Sequence, residues 1–252
     1  MSKDFYDRVA KEFGGYSFIT RKSEHETVFP SVDPENVFKS KLLEYSGKDV
    51  RVVDVGCGDC RFAFSIAGNF KEVVGVDTSI ELLKVAAEKM EKNGITNVRF
   101  MEVDAGKTGF EDNSFDLSFS RRGPTPYEEI GRILKPGGRF IVIEIGEQDA
   151  REIKVVFGRG QNYGSWDQST VDHINKESSE AGFRTEFIEG YNYDEFYKSY
   201  ADLELFLRRV PIFEDFNPEK DKSLLTGYEQ MFKEGRGIKL PRHRVVAVLQ
   251  KL

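Results

Sequence analysis

The chain has 252 residues and a formal net charge of −6, with 39% apolar and 32% charged residues. This length suffices for one substantial core, or for one domain with an added lid. No apolar run is long enough to predict a transmembrane helix, and with no secretory signal and two cysteines we expect a cytoplasmic protein that does not bind membranes. The acidic balance and the lack of a long basic block make a nucleic-acid partner the less favoured expectation, because phosphate binding requires clustered Lys and Arg.

The first 45 residues predict a helical N-terminal cap. Phe5, Val9 and Phe13 recur every four residues and predict a short helix over residues 4–16 that ends at two glycines. Residues 17–35 have no clear period and predict a loop. A second short helix is expected before the first strand.

Strands and helices alternate through residues 50–145. Apolar, β-branched runs predict five strands there, at 50–55, 72–77, 98–103, 115–119 and 139–145. Alternation at this spacing predicts βαβ units, and therefore a Rossmann-like, mostly parallel α/β sheet with helices on both faces.

Three local patterns predict how helices in this stretch begin and continue. Phe62, Ile66 and Phe70 form an apolar stripe of a helix that follows the first strand. Capping boxes are indicated at Thr78, in Thr-Ser-Ile-Glu, and at Thr125, in Thr-Pro-Tyr-Glu.

The C-terminal third predicts two further strands, at 183–188 and 244–249, which would complete a seven-stranded sheet. Residues 192–240 between them predict a helical insertion, with helices over about 193–209 and 218–233. Its aromatic residues could wall off a small-molecule pocket or pack as a helical hairpin on the core; they include Tyr193, Phe196, Tyr197, Tyr200 and Phe206. We expect a single domain over residues 1–252, in which this insertion forms a lid.

A glycine loop follows the first strand and is the most informative motif of the chain. Asp54 is followed by Gly56, Cys57 and Gly58. A glycine turn between a buried strand and a helix N-terminus favours a ligand with negative charge or many hydrogen-bond acceptors. A dinucleotide fingerprint would require a third glycine where Arg61 stands, so an NAD-dependent dehydrogenase is disfavoured.

Polar residues end three further strands of the predicted sheet. Asp77, Asp104 and Ser120 each stand at the carboxyl end of a strand. Because the carboxyl ends of parallel strands meet at one edge, we expect these residues and Gly56 to lie on one rim, where ligands of such sheets bind.

These residues resemble the motifs of class I S-adenosylmethionine-dependent methyltransferases. The resemblance covers about residues 50–145, with Cys60 in the place of the third glycine of the first motif. It rests on five matches in order: Asp54 to Gly58, Asp77, Asp104, Phe115-Asp116, and Leu134 to Gly138. It implies an enzyme that moves a methyl group from S-adenosylmethionine to an acceptor by in-line displacement, with S-adenosylhomocysteine as the product.

The resemblance also implies roles for single residues. Asp77 would accept the ribose hydroxyls, and Asp104 with Ala105 would meet the adenine, while Asp54 would order the glycine loop. The first helix resembles one that folds over the cofactor in many small-molecule methyltransferases, although it also fits a packing helix. The full candidate cofactor set is Tyr16, Asp54, Gly56, Cys57, Gly58, Asp77, Thr78, Asp104, Ala105 and Ser120.

The acceptor side is less defined by the sequence. Arg121 and Arg122 are the substrate-side candidates, which could hold an anionic substrate or form surface ion pairs. No residue is recognisable as a general base. Cys57 and Cys60 have CxxC spacing, and we expect them to line the loop rather than to form a metal site. A small-molecule acceptor is the first expectation; the alternatives are an RNA or protein methyltransferase, or a non-catalytic module that binds S-adenosylmethionine.

Overall fold

The computed structural model describes residues 3–15 and 23–252, and the chain forms two compact units. The core unit comprises Asp33–Ile145, Thr170–Gly190 and Val245–Leu252. The second unit comprises Met1–Val32, Gly146–Ser169 and Tyr191–Arg244. The division into an N-terminal cap, a cofactor-binding core and a lid within one domain stays a prediction. Within the described ranges, no helix has both the length and the apolar character that crossing a membrane requires.

The helices and strands alternate through most of the chain. The helices are α1 (Lys3–Phe13), α2 (Pro34–Glu44), α3 (Arg61–Ile66), α4 (Ile80–Asn93), α5 (Tyr127–Ile133), α6 (Arg151–Phe157), α7 (Thr170–Glu180), α8 (Tyr200–Leu207) and α9 (Lys222–Phe232). The strands are β1 (His25–Val28), β2 (Gly47–Val55), β3 (Phe70–Asp77), β4 (Val98–Glu102), β5 (Phe115–Arg121), β6 (Leu134–Ile145), β7 (Phe183–Tyr197), β8 (Lys233–Glu234) and β9 (Gly237–Lys251). Strands β7 and β9 contribute residues to both units.

The core unit is built on parallel strands in the order β6-β5-β2-β3-β4, with β9 and β7 beyond β6. The chain passes from β2 to β3 and β4 on one side and then resumes with β5 on the other, so the switch point lies between β2 and β5. Val55 pairs with Val76 of β3 and with Ser120 of β5. The carboxyl ends of these three strands therefore lie side by side. The prediction of a Rossmann-like, mostly parallel sheet is confirmed.

Burial explains why these segments are strands. Val53, Val55, Val74 and Val76 have no or almost no solvent exposure and belong to the main apolar cluster of the core unit, together with Phe140. β-Branched side chains suit a strand that is covered on both faces. Each fully buried aliphatic side chain of this size contributes about 1.5–3 kcal/mol to folding.

The second unit has its own apolar core. It contains aromatic and aliphatic side chains of α6, α8 and α9 together with the ends of β7 and β9. Strand β1 pairs antiparallel with β7, with His25 opposite Tyr197, and β8 pairs antiparallel with β9. Helix α1 packs through Phe5, Val9 and Phe13 against Leu205.

The strand count and one helix boundary differ from the predictions. The described residues contain nine strands rather than seven, because β1 lies in the predicted loop and β8 adds a short hairpin strand. The helix predicted over 193–209 begins only at Tyr200, since β7 continues to Tyr197. Tyr191 and Tyr193 alternate with polar residues and are buried at every second position, which is the period of a strand.

Helix starts were also predicted imperfectly. Ser79, not Thr78, caps α4, and its hydroxyl accepts the Leu82 N–H. The capping box at Thr125 is wrong, because α5 begins without a side-chain cap. The stripe through Phe70 is wrong as well, since α3 ends at Ile66 and a short 3-10 turn leads directly into β3.

Gly75, in the middle of β3, has no room for a side chain. A Cβ atom there would lie 2.7 Å from Cys57 Sγ and 2.9 Å from Cys57 Cβ. Rotation of the thiol cannot relieve the second contact, so we expect Gly75→Ala to lower the free energy of unfolding by about 1–3 kcal/mol in urea denaturation.

Gly68 provides the matched control for that substitution. A Cβ atom at Gly68 would meet nothing within 4 Å. Gly68→Ala should therefore change the free energy of unfolding by no more than about 0.5 kcal/mol. Equal losses in the two variants would contradict the packing described for the glycine loop against β3.

Candidate functional site

The glycine loop is held against the end of β3 by its own backbone. The Gly56 and Cys57 N–H groups both donate to the Val76 carbonyl, at 2.9 and 3.1 Å. Gly56 has a φ of +71°, and a Cβ atom there would lie 2.8 Å from Pro124 Cδ. Both the left-handed backbone and this close approach require glycine. Gly58 is also left-handed, with a φ of +53°.

Asp77, the last residue of β3, connects the glycine loop to the next helix. Its Oδ2 accepts the Gly58 N–H at 2.8 Å, and its Oδ1 accepts the Ser79 N–H at 2.8 Å. An ionised carboxylate has about four lone-pair sites and can accept several hydrogen bonds at once. The Asp77 side chain thus holds the glycine loop and the start of α4 together.

Ser120 lies at the end of β5, on the other side of the switch point. Its side chain is buried, and its hydroxyl has no hydrogen-bond partner among the described residues. A Cβ atom added to the neighbouring Gly123 would lie 3.1 Å from Ser120 Oγ and 2.8 Å from the Val55 carbonyl oxygen. An unpaired buried hydroxyl beside a loop that admits no side chain fits a site for a polar ligand.

The end of β4 lies next to Asp77, because the Val103 N–H donates to the Asp77 carbonyl at 3.0 Å. Asp104 follows directly, and its Oδ1 accepts the Gly106 N–H at 2.7 Å. Ala105 is buried in the main apolar cluster, and Thr78 is exposed on the rim. Tyr16, the remaining cofactor candidate, lies outside the described residues.

The two substrate-side arginines form ion pairs with one carboxylate. Arg121 Nε donates to Glu35 Oε2 at 2.7 Å, and Arg122 Nη2 lies 3.4 Å from Glu35 Oε1. Glu35 belongs to the first turn of α2. The sequence reasoning left an anionic substrate and an ion pair as alternatives, and the structure shows the ion pair.

The motif cysteines lie together over β3. An added Cβ atom on Gly75 would be 2.7 Å from Cys57 Sγ and 3.2 Å from Cys60 Sγ. Cys60 has a φ of +53°, the left-handed conformation that the third motif glycine would adopt without strain. Hydrogen bonding to Cys60 and burial raise the pKa of the Cys57 thiol well above its usual value. The Cys57 thiol therefore stays protonated at neutral pH. No cluster of His, Cys, Asp or Glu in the described part of the chain is arranged to hold a metal ion.

Asp54 is a buried carboxyl group directly below the loop. Burial raises its pKa to about 8, the Arg121 charge acts in the opposite direction, and the Asp77 charge raises it further. Asp54 is therefore mostly neutral at pH 7, and it can donate as well as accept a hydrogen bond.

Sequence reasoning missed a partly buried carboxyl group in the core unit. Glu144, near the end of β6, accepts the Tyr127 hydroxyl at 3.2 Å. Burial raises its pKa, while the Tyr127 hydrogen bond, the charge of His173 and Thr125 oppose the shift. The signal in the sequence was one acidic residue within the apolar run 140–145.

The parallel sheet, with its switch-point loop and helices between strands, defines this unit as a Rossmann-like fold. Residues 46–185 match the family described as "Methyltransferase domain". Because the match spans more than half of the chain, the chain belongs to this family. Its resemblance to the class I S-adenosylmethionine-dependent methyltransferases is thereby confirmed.

The chain is similar to curated methyltransferases over part of their length. It is 36% identical over 124 residues to the ubiquinone/menaquinone biosynthesis C-methyltransferase UbiE of Azotobacter vinelandii, covering 44% of this chain and 49% of that protein. It is 33% identical over 141 residues to the demethylmenaquinone methyltransferase of Staphylococcus aureus, covering 51% and 58%. The chain thus spans about half the length of these relatives.

A solved structure shares the fold over nearly the whole chain. The [4+2]-cyclase SpnF has a TM-score of 0.61 at 18% identity, and the likeness covers 98% of this chain and 91% of that one. At this identity the likeness concerns the fold alone.

The raised pKa of Asp54 predicts how stability depends on pH. The unfolded chain loses this proton near the ordinary aspartate pKa of 3.8, whereas the folded protein keeps it to about pH 8. Between these two pH values the folded protein binds more protons than the unfolded chain. The free energy of unfolding should therefore decrease as pH rises from about 4 to about 8, and this group contributes up to about 1.4 kcal/mol per pH unit.

Urea denaturation at a series of pH values checks this expectation. In Asp54→Asn the contribution should be absent, and the stability curve over this interval should be flatter than that of the unsubstituted protein. Parallel curves for the two proteins would show that Asp54 ionises at its ordinary pKa.

Proposed function

We propose that this protein transfers a methyl group from S-adenosylmethionine to a small-molecule acceptor. The observation that carries the proposal is the arrangement around Asp77, whose carboxylate holds both the glycine loop and the start of α4. In this arrangement a carboxylate and a glycine loop lie near the switch point of a parallel sheet. Such a site suits a ligand that combines a diol with a polar chain.

Each cofactor candidate has a proposed contact. The backbone of Gly56, Cys57 and Gly58 would approach the methionine and ribose portions. Asp77, with Thr78 beside it, would accept the ribose hydroxyls. Asp104 would accept from the adenine amino group while the Ala105 N–H meets a ring nitrogen; the remaining candidates are Tyr16, Asp54 and Ser120.

The main contribution of the protein to methyl transfer would be to align the reacting groups. A sulfonium is already a good leaving group, so the chain has to bring acceptor, methyl and sulfur into line and exclude water. The unpaired Ser120 hydroxyl lies beside the loop, where it would contact the reacting part of the cofactor or the acceptor. A general base would be needed only for an acceptor that loses a proton early.

The partial relatives favour a small-molecule acceptor. Those named above are a ubiquinone/menaquinone biosynthesis C-methyltransferase and a demethylmenaquinone methyltransferase. From these relatives we carry over to this chain only the class of the acceptor, a small organic molecule.

A second candidate function is binding of S-adenosylmethionine without methyl transfer. The observation that favours it is the shared fold of SpnF, which is described as a [4+2]-cyclase rather than a methyltransferase. Fold alone does not determine the reaction. Methylation of RNA or protein is the alternative acceptor class within methyl transfer.

Two measurements test the proposal. Calorimetric titration should show micromolar binding of S-adenosylmethionine and S-adenosylhomocysteine and no binding of NAD. Incubation with methyl-tritiated S-adenosylmethionine should then label a pool of extracted metabolites and not RNA or protein. Binding without label in any pool would favour the non-catalytic module, and failure to bind either sulfur nucleotide would overturn the proposal.

Asp77→Asn tests the ribose contact. The substitution removes a negative charge that would accept two hydroxyl hydrogen bonds, and such bonds contribute about 1.5–3 kcal/mol each. We expect the dissociation constant for S-adenosylmethionine, measured by calorimetry, to rise at least about tenfold.

Asp116→Asn is the matched control. Asp116 accepts from Lys135 and from the Arg51 N–H near the start of β5, away from the strand ends that form the rim. Its removal should affect stability without changing the dissociation constant for S-adenosylmethionine. Unchanged affinity in Asp77→Asn, with its thermal unfolding midpoint preserved, would refute the ribose assignment.

A further inference from the structure

The second unit contains a buried network of charged side chains that the cofactor site does not use. Asp149, just before α6, is at its centre. Its Oδ1 accepts from Arg242 Nε at 2.9 Å, from Arg244 Nη1 at 2.5 Å and from the His243 N–H at 3.0 Å. Burial opposes ionisation of Asp149, yet the two arginines hold its pKa well below the usual range.

Arg242 is fully engaged in this network. Besides Asp149 Oδ1, it contacts Asp149 Oδ2 through Nη2 at 3.4 Å and Glu195 Oε2 through Nη1 at 2.6 Å. The Tyr197 hydroxyl donates to the same Glu195 oxygen. All three nitrogens of this guanidinium therefore have carboxylate partners, which identifies Arg242 as a structural group.

Arg244 is only partly engaged. Its Nη1 donates to Asp149 and to the His243 carbonyl. Its Nε is buried without a partner, and no described residue accepts from its Nη2. The residue is only 1% exposed, so unused donors of a charged group here are costly unless a ligand takes them.

Two aromatic rings, those of Tyr193 and Phe29, form an aromatic wall next to this guanidinium. Arg244 Cζ lies 5.9 Å from the centroid of the Tyr193 ring, and the Phe29 and Tyr193 rings are 5.1 Å apart. The Tyr193 hydroxyl has no hydrogen-bond partner in the described ranges. These groups together suit a planar anion. Two donor positions on Arg244 and the Tyr193 hydroxyl could donate to its oxygens, and the two aromatic rings could pack against its plane.

We propose that Arg244 and Tyr193 bind an anionic oxygen of a small-molecule ligand, carried as a carboxylate or an ionised hydroxyl on a planar ring. Shielding from water strengthens such a pairing. Anion binding by Arg244 does not require methyl transfer. Arg121 and Arg122, the arginines that the sequence singled out, are already paired with Glu35.

Model anions test the proposal without knowledge of the natural ligand. Benzoate, 4-nitrophenolate and the neutral benzamide are titrated into the full chain and followed by calorimetry. We expect saturable binding of at least one anion, at least tenfold tighter than that of benzamide. Preference for benzoate would indicate a carboxylate ligand, and preference for 4-nitrophenolate an ionised hydroxyl. Equal affinity for anions and benzamide, or no binding of any, would overturn the proposal.

Substitutions test whether the anion binds to the unused donors of Arg244. Arg244→Lys keeps the charge toward Asp149 but removes the planar fork, so the preferred anion should bind at least tenfold more weakly. Arg242→Lys is the matched control and should keep anion binding within about twofold, whatever its effect on stability. Similar losses in the two variants would mean that the network as a whole was disturbed, and the assignment to Arg244 would fall.

Tyr193→Phe keeps the aromatic wall and removes only the free hydroxyl, so it tests the site even if Arg244→Lys does not fold. We expect a loss of about threefold to tenfold in anion affinity, and an unchanged affinity would exclude the hydroxyl from the site. Calorimetry with S-adenosylmethionine separates the two proposals. In the unsubstituted protein, cofactor binding without anion binding would refute only the Arg244 site, whereas anion binding without cofactor binding would refute only the cofactor assignment.

Discussion

The Asp77 carboxylate is the interaction on which the candidate cofactor site depends. One of its oxygens holds the Gly58 N–H of the loop after β2, and the other holds the Ser79 N–H at the start of α4. Two strand ends and a helix start are thereby fixed by one side chain. Charge-assisted hydrogen bonds of this kind are stronger than those between neutral groups, so they help the loop to keep its shape.

Close packing on both sides explains why the loop is rich in glycine. Pro124 approaches Gly56 on one side, and the motif cysteines cover Gly75 of β3 on the other. Cys60 accepts a left-handed backbone conformation at the position where related motifs have glycine. The cost of this conformation is about 1 kcal/mol for a non-glycine residue, which the burial of its side chain offsets.

Buried aspartates in this chain differ in charge because their neighbours differ. For Asp54, burial is the largest influence on the pKa and outweighs the opposing charge of Arg121, so the group is mostly neutral at pH 7. Asp149 is equally buried, but two guanidinium groups and a backbone N–H contact it, and it stays ionised. Burial alone therefore does not predict the charge of a carboxyl group, because the neighbouring charges and hydrogen-bond donors also set its pKa.

The sequence by itself determined the order of elements in the core unit, the glycine loop and the polar residues at the strand ends. These features are local, since the period of buried residues and the position of glycine depend on neighbouring residues. Only the tertiary structure decided that Arg121 pairs with Glu35, that β7 continues to Tyr197, and that Arg244 keeps unused donors. Such partners lie far apart in the sequence, and no local period encodes which of two similar arginines finds a second carboxylate.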